Sequence, residues 1–141
     1  KKSLLLDKRL REINTGEFSG KPNGEYHAHF SSIEEKFTKR PPEGENLDDL
    51  RHRVMELLYE LEKEHQNKKI LIVTHEYAVW MLMQGVMGWS NKESAAIKET
   101  KDDFIATAEV IKLPFVPLPH NRTYVIDFHR PYIDEGEILS V

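Results

Sequence analysis

Two residues in this chain stand where their side chains could do chemistry. His75 closes the run Ile70-Leu-Ile-Val-Thr-His75, and a second apolar run, Tyr77 to Met87, begins at once with helical length. Four aliphatic residues in a row between Lys68-Lys69 and Thr74 predict a buried strand of a parallel or mixed sheet. His75 then lies at the carboxyl edge of a strand and beside a helix amino terminus. Free backbone N–H groups and the helix dipole favour anions there. An imidazole in that place can bind, protonate or attack a phosphate; the bland alternative is a bond to a nearby carbonyl. Glu12 is the second residue. It lies between the basic pair Arg9 and Arg11 and a glycine turn at Gly16. That setting suits a general acid with a tuned pKa, and equally a surface carboxylate in an ion pair.

The other histidines have ordinary explanations. His27 and His29 are two apart in an expected loop with no third ligand in view, so a surface role outweighs a metal pair. His52 falls on the polar face of an amphipathic segment, and His65 suits a helix carboxyl end. His120 and His129 belong to a proline-rich tail. With no cysteine, disulfides and thiolate metal sites are excluded, and neither a metal nor a cofactor is expected. A net charge of −4 without a basic stripe argues against direct nucleic-acid binding. No apolar run reaches membrane-spanning length and no secretory signal pattern occurs, so a soluble cytoplasmic protein is the expectation.

These residues need elements to hold them. The 141 residues suffice for one domain with a real core. Lys1 to Leu6 has the composition of a short strand. Arg9 to Gly20, with glycines at 16 and 20, suits an ordered loop, and Lys21 to Gly24 a turn. A short helix is expected over 30–37, capped by Ser31 or Ser32, with Ile33 and Phe37 on one face. The clearest helix spans about 47–65. Asn46 caps it, Asp48 and Asp49 suit its positive end, and Leu47, Leu50, Val54, Leu57, Leu58 and Leu61 form one apolar stripe. The strand 69–74 follows, then a helix over 77–87, apolar nearly all round and ending at Gly88. Residues 91–101 are polar, helix or mobile loop. Ile105 to Leu113 and Tyr124 to Phe128 have strand composition. Pro114, Pro117 and Pro119 mark a soft boundary between residues 1–113 and a tail, 114–141.

Three segments, taken in order, resemble the histidine phosphatase (phosphoglycerate mutase-like) superfamily. Leu10-Arg-Glu12-Ile-Asn-Thr-Gly16-Glu-Phe-Ser-Gly20 has the spacing of the family's acid-bearing loop. Pro42-Glu-Gly44-Glu45-Asn46, with Arg51 and Arg53 further on, resembles a Pro-x-Gly-Glu-Ser helix start, Asn46 standing for Ser. Val73-Thr74-His75-Glu76 resembles the Val-Ser/Thr-His-Gly strand end. The resemblance covers about residues 1–113. It implies a three-layer α/β fold, with a mostly parallel sheet flanked by helices. It also implies a phosphatase or mutase acting on a phosphorylated small metabolite through a phosphohistidine, without metal. His75 would bond the transferring phosphoryl group, Glu12 would protonate the leaving oxygen, and the Glu76 N–H would bind phosphate.

The chain also departs from the family pattern. It contains no Arg-His-Gly sequence, where the family carries its attacking histidine, and no Ser-x-x-x-Arg-x-x-x-Thr-Ala helix. The expectation is a fold truncated at its amino terminus, inactive as given and completed by a missing amino-terminal segment or a partner chain; an oligomer is possible. Glu76 replaces the usual glycine, and an inward carboxylate would repel anions. In the tail, Leu118-Pro-His-Asn121 and Asp127-Phe-His-Arg-Pro-Tyr-Ile-Asp-Glu135 resemble a segment of isoleucyl-tRNA synthetases. That implies an alternative, a non-catalytic structural or binding module inserted in or fused to such a synthetase.

Overall fold

A computed structural model describes residues 4–65, 68–100 and 104–113. The chain divides into two compact units, Lys1–Ile111 and Lys112–Val141, and every described element belongs to the first.

Helix α1 is Asn23–Ala28, α2 Leu47–Glu64, α3 Glu76–Met87 and α4 Asn91–Glu99. Short 3-10 turns at Lys8–Leu10, Gly16–Phe18 and Glu34–Phe37 shape the loops. Helix α2 starts where its chemistry requires. Asn46 accepts a hydrogen bond from the Asp49 N–H, and the Asp49 carboxylate returns one from the Asn46 N–H, a full capping box. Ser90 and Glu93 do the same for α4. The segment left open between helix and loop is therefore helical. Gly88, at φ 67°, ends α3 in the left-handed conformation that glycine adopts without strain. The Lys21–Gly24 turn is shorter than expected, because Asn23 already opens α1 and places His27 on a helix.

The core lies between α2 and α3. Leu47, Leu50, Val54, Met55 and Leu57 are buried against Ala78, Trp80, Met81, Leu82 and Val86. Gly85 lets the helices close up: a Cβ there would stand 2.2 Å from the Met55 sulfur. The expected stripe of α2 holds for its first half. Leu58 and Leu61 are only half-buried, while Met55 is drawn inside. The 3-10 turn Glu34–Phe37 packs Phe37 edge-on to Trp80, with ring centroids 5.6 Å apart.

The expected three-layer α/β sheet is not found. Among the described residues the regular structure is helical and there is no strand. Residues 69–74, like 4–6 and 109–113, form no regular element and have no ladder partner among the described residues. Ile70, Leu71 and Val73 are 46%, 76% and 79% exposed, where a buried strand was expected. A helix closes its hydrogen bonds within itself, whereas a strand exists only through a neighbour that takes its N–H and C=O groups. The apolar runs supply strand composition, but pairing is a tertiary event. The 114 boundary, the strand-like run 124–128 and the synthetase-like tail lie outside the described residues.

Candidate functional site

Three loops meet around Glu12. The first contact is between the turns at 12–17 and 41–45. The Glu17 N–H donates to the Pro42 carbonyl at 3.1 Å, and the Glu45 N–H to the Asn14 carbonyl at 2.8 Å. The approach is so close that a Cβ on Gly16 would lie 1.9 Å from the Pro42 oxygen, and one on Gly44 2.6 Å from the Asn14 oxygen. Gly16 also needs its φ of 58°. The glycines of both motifs are thus two sides of one contact.

The second fastening is Arg53 of α2. Its guanidinium donates to the carbonyls of Arg9 (2.5 Å), Arg11 (2.9 Å) and Glu12 (3.0 Å). It also pairs with both carboxylate oxygens of Glu45, at 3.0 and 2.9 Å. Glu45 in turn takes Arg11 at 2.5 Å and the Asn14 N–H at 3.0 Å. Burial would raise the Glu45 carboxyl, but these hydrogen bonds and the charges of Arg53 and Arg11 hold it below the ordinary range. Five donors in a fixed fork explain why arginine suits this clamp. Arg53 and Glu45 stand in the matched segment, yet spacing alone showed no role for them. The third fastening is Thr74, whose hydroxyl donates to the Leu10 carbonyl at 2.5 Å. It brings the residues before α3 to the same loop.

His75 is the N-cap of α3 and carries no side-chain capping bond; it is exposed. Glu12 is half-buried. Burial raises its carboxyl pKa, opposed by the Ile13 N–H at 2.8 Å, the charge of His75 and the Tyr77 backbone, and reinforced by Glu76. The two residues singled out by sequence therefore share one electrostatic site at the amino end of α3. The acid there is biased toward its protonated form, as a proton donor requires. The Glu76 carboxylate is ion-paired with Lys98 of α4, and its charge still acts on Glu12.

The floor of the site is aromatic. Tyr26 and Tyr77 both interact with Glu12, and burial pushes Tyr26 up to about 12 and Tyr77 higher still, so both stay protonated. Lys36 lies under them with its ammonium 2.6 Å from His27 Nδ1 and 3.5 Å from the Tyr77 hydroxyl. His27 therefore faces Lys36 and not His29, whose ring lies tilted against Phe18 and edge-on to Phe30. His52 is exposed and His65 caps the end of α2. No group of three His, Asp or Glu residues is arranged to hold a metal among the described residues. Lys36 escaped the sequence reading because Glu34-Glu35-Lys36 has the pattern of a solvated face.

Residues 1–102 match the histidine phosphatase superfamily (branch 1), and the chain belongs to that superfamily. No curated protein and no solved structure gave a match. The match ends before the synthetase-like tail, and no comparison bears on that resemblance. No helix among the described residues is long and apolar enough to cross a membrane.

Proposed function

We propose that this chain supplies the phosphate-binding and proton-donating side of a histidine phosphatase site that acts on a phosphorylated small metabolite. One observation carries this: a half-buried Glu12 with a raised pKa shares the amino end of α3 with His75. The α3 amino end offers the N–H of Glu76 to a phosphoryl oxygen, and the imidazole of His75 offers a second donor. Donors fixed before the substrate arrives stabilise the charge that spreads over the equatorial oxygens during transfer. Glu12, whose affinity for its proton is raised by burial, gives that proton to the departing alkoxide and as the carboxylate can then orient water. The fastenings by Arg53, Thr74 and the Gly16–Gly44 contact keep the acid in place as it changes charge.

The chain contains no Arg-His-Gly sequence. In this proposal the attacking imidazole comes from a segment or chain beyond these residues, and hydrolysis or transfer through a phosphohistidine follows only with it. The test is a ³¹P NMR titration of inorganic phosphate into the chain and into His75→Ala. The expected result is binding by the parent and at least about tenfold weaker binding by the variant, the loss of one charge-assisted bond. Equal affinities would remove His75 from the phosphate site and the proposal with it.

A further inference from the structure

Glu76 departs from the family pattern, and it stands where its side chain could obstruct the site. It is the first residue of α3. The first intrahelical bond of α3 runs from the Val79 N–H to the His75 carbonyl at 3.0 Å, so the N–H of Glu76 has no acceptor within the helix. That N–H is the group offered to a phosphoryl oxygen. An acidic side chain in the first turn is drawn to the same positive end of the helix. Left to itself, the Glu76 carboxylate would compete with an incoming anion there. Its charge already reaches Glu12 and His27.

Lys98 holds that carboxylate elsewhere. The two side chains are ion-paired, Lys98 19% and Glu76 41% exposed. The ammonium lies 5.1 Å from the ring centroid of Phe104 and 5.8 Å from that of Trp80, and both rings are buried. Lys98 also falls in the last turn of α4, where the helix dipole favours a cation. Trp80 follows Glu76 by one turn of α3, so the ring beneath the ammonium and the carboxylate that pairs with it share one face of that helix. The lysine is therefore fixed by rings and by its own helix before it meets Glu76. A surface pair between two mobile side chains has no such support.

We propose that Lys98 is a positioning residue of the phosphoryl site: it draws the Glu76 carboxylate onto α4 and offsets its charge, which keeps the amino end of α3 open to an anion. This rests on the phosphoryl-binding proposal above. A glycine at position 76 would need no such partner. With glutamate in its place the lysine is required, and the two residues act as one unit.

Titration of inorganic phosphate, followed by ³¹P NMR, into the parent and its variants tests it. Lys98→Met is expected to bind phosphate at least about fivefold more weakly than the parent. Lys98→Met combined with Glu76→Gln is expected to recover most of that loss, because the amide keeps the backbone N–H and brings no charge. Lys98→Arg, which keeps the charge, is expected to stay within about twofold of the parent. Parental affinity in Lys98→Met overturns this inference and leaves the phosphoryl site standing. So does a loss that persists in the double variant, since Lys98 would then act on the anion or on the fold and not through Glu76. A Lys98→Arg chain as weak as Lys98→Met overturns it too. Absence of phosphate binding in the parent removes both proposals. Should Lys98→Met fail to fold by circular dichroism, Lys98→Gln reads the same comparison, and an affinity equal to the parent's overturns the proposal.

Discussion

The two apolar runs on either side of His75 have opposite fates. Tyr77 to Met87 forms α3, with Trp80, Met81 and Leu82 almost wholly buried. Residues 70–73 form no regular element, with Leu71 and Val73 more than three-quarters exposed. Hydrophobicity sets what a segment gains by burial, but the backbone decides whether burial can happen. The helix satisfies its own amides and needs only a face to pack on, which α2 provides. The extended run needs a strand beside it before either its amides or its side chains are satisfied. His75 sits on the joint between the two. It is held by its helix side and by Thr74, whose bond to Leu10 fastens the segment before it.

Core substitutions should show the contrast at its largest. Leu50→Ala, at a position with no exposure, is expected to lower stability by about 2–5 kcal/mol in urea unfolding. Leu71→Ala is expected to stay within about 0.5 kcal/mol. Comparable losses at both positions would show that the extended run is packed in solution, and the comparison would fail.

The clamp comes next. Arg53→Met leaves Glu45 buried without its main partner and frees three carbonyls, so a loss of about 3 kcal/mol is expected. Phosphate affinity should fall with it, since Arg53 positions the Glu12 loop. A variant with parental stability and parental phosphate binding would show that Arg53 holds nothing in place.

Two glycines make a finer test. Gly16→Ala drives a Cβ into the Pro42 oxygen and should lower stability by about 3 kcal/mol. Gly20→Ala has a similar φ but open space, and about 1 kcal/mol is expected. Equal effects would mean that backbone conformation alone, and not the contact between the two motif loops, requires glycine.

The pH dependence of Glu12 should be smaller. Its folded pKa is raised, so its contribution is full below the ordinary glutamate range and is lost as pH rises through the folded value. Glu12→Gln should match the parent near pH 4 and exceed it slightly at pH 7 in melting temperature. The reverse order would mean that the carboxylate is stabilised in the fold and Glu12 is no proton donor. Lys36 has the opposite sign: its pKa is depressed, so its contribution, full above about 10.5, is lost as pH falls through about 8. His27, Tyr26 and Tyr77 face it, and the charge of Lys98 acts on it.

The sequence by itself marked α2 and α3 with their ends, left α4 open and did not show α1. Asn46 with Asp49, Ser90 with Glu93, and Gly88 are local chemistry, because a cap and its partner lie within one turn. The glycines of its two motifs stand where the contact between the loops at 12–17 and 41–45 leaves no room for a Cβ. Whether the aliphatic run at 70–73 is a strand was not written locally, because a ladder needs a second segment. The burial of Lys36 was not legible either. Its neighbours Glu34 and Glu35 mark a solvated turn, and the lysine is buried against the rings of Tyr26, Phe30 and Tyr77. Tertiary structure decided those two points, since pairing and burial depend on what stands opposite a residue and not on what stands beside it in the chain.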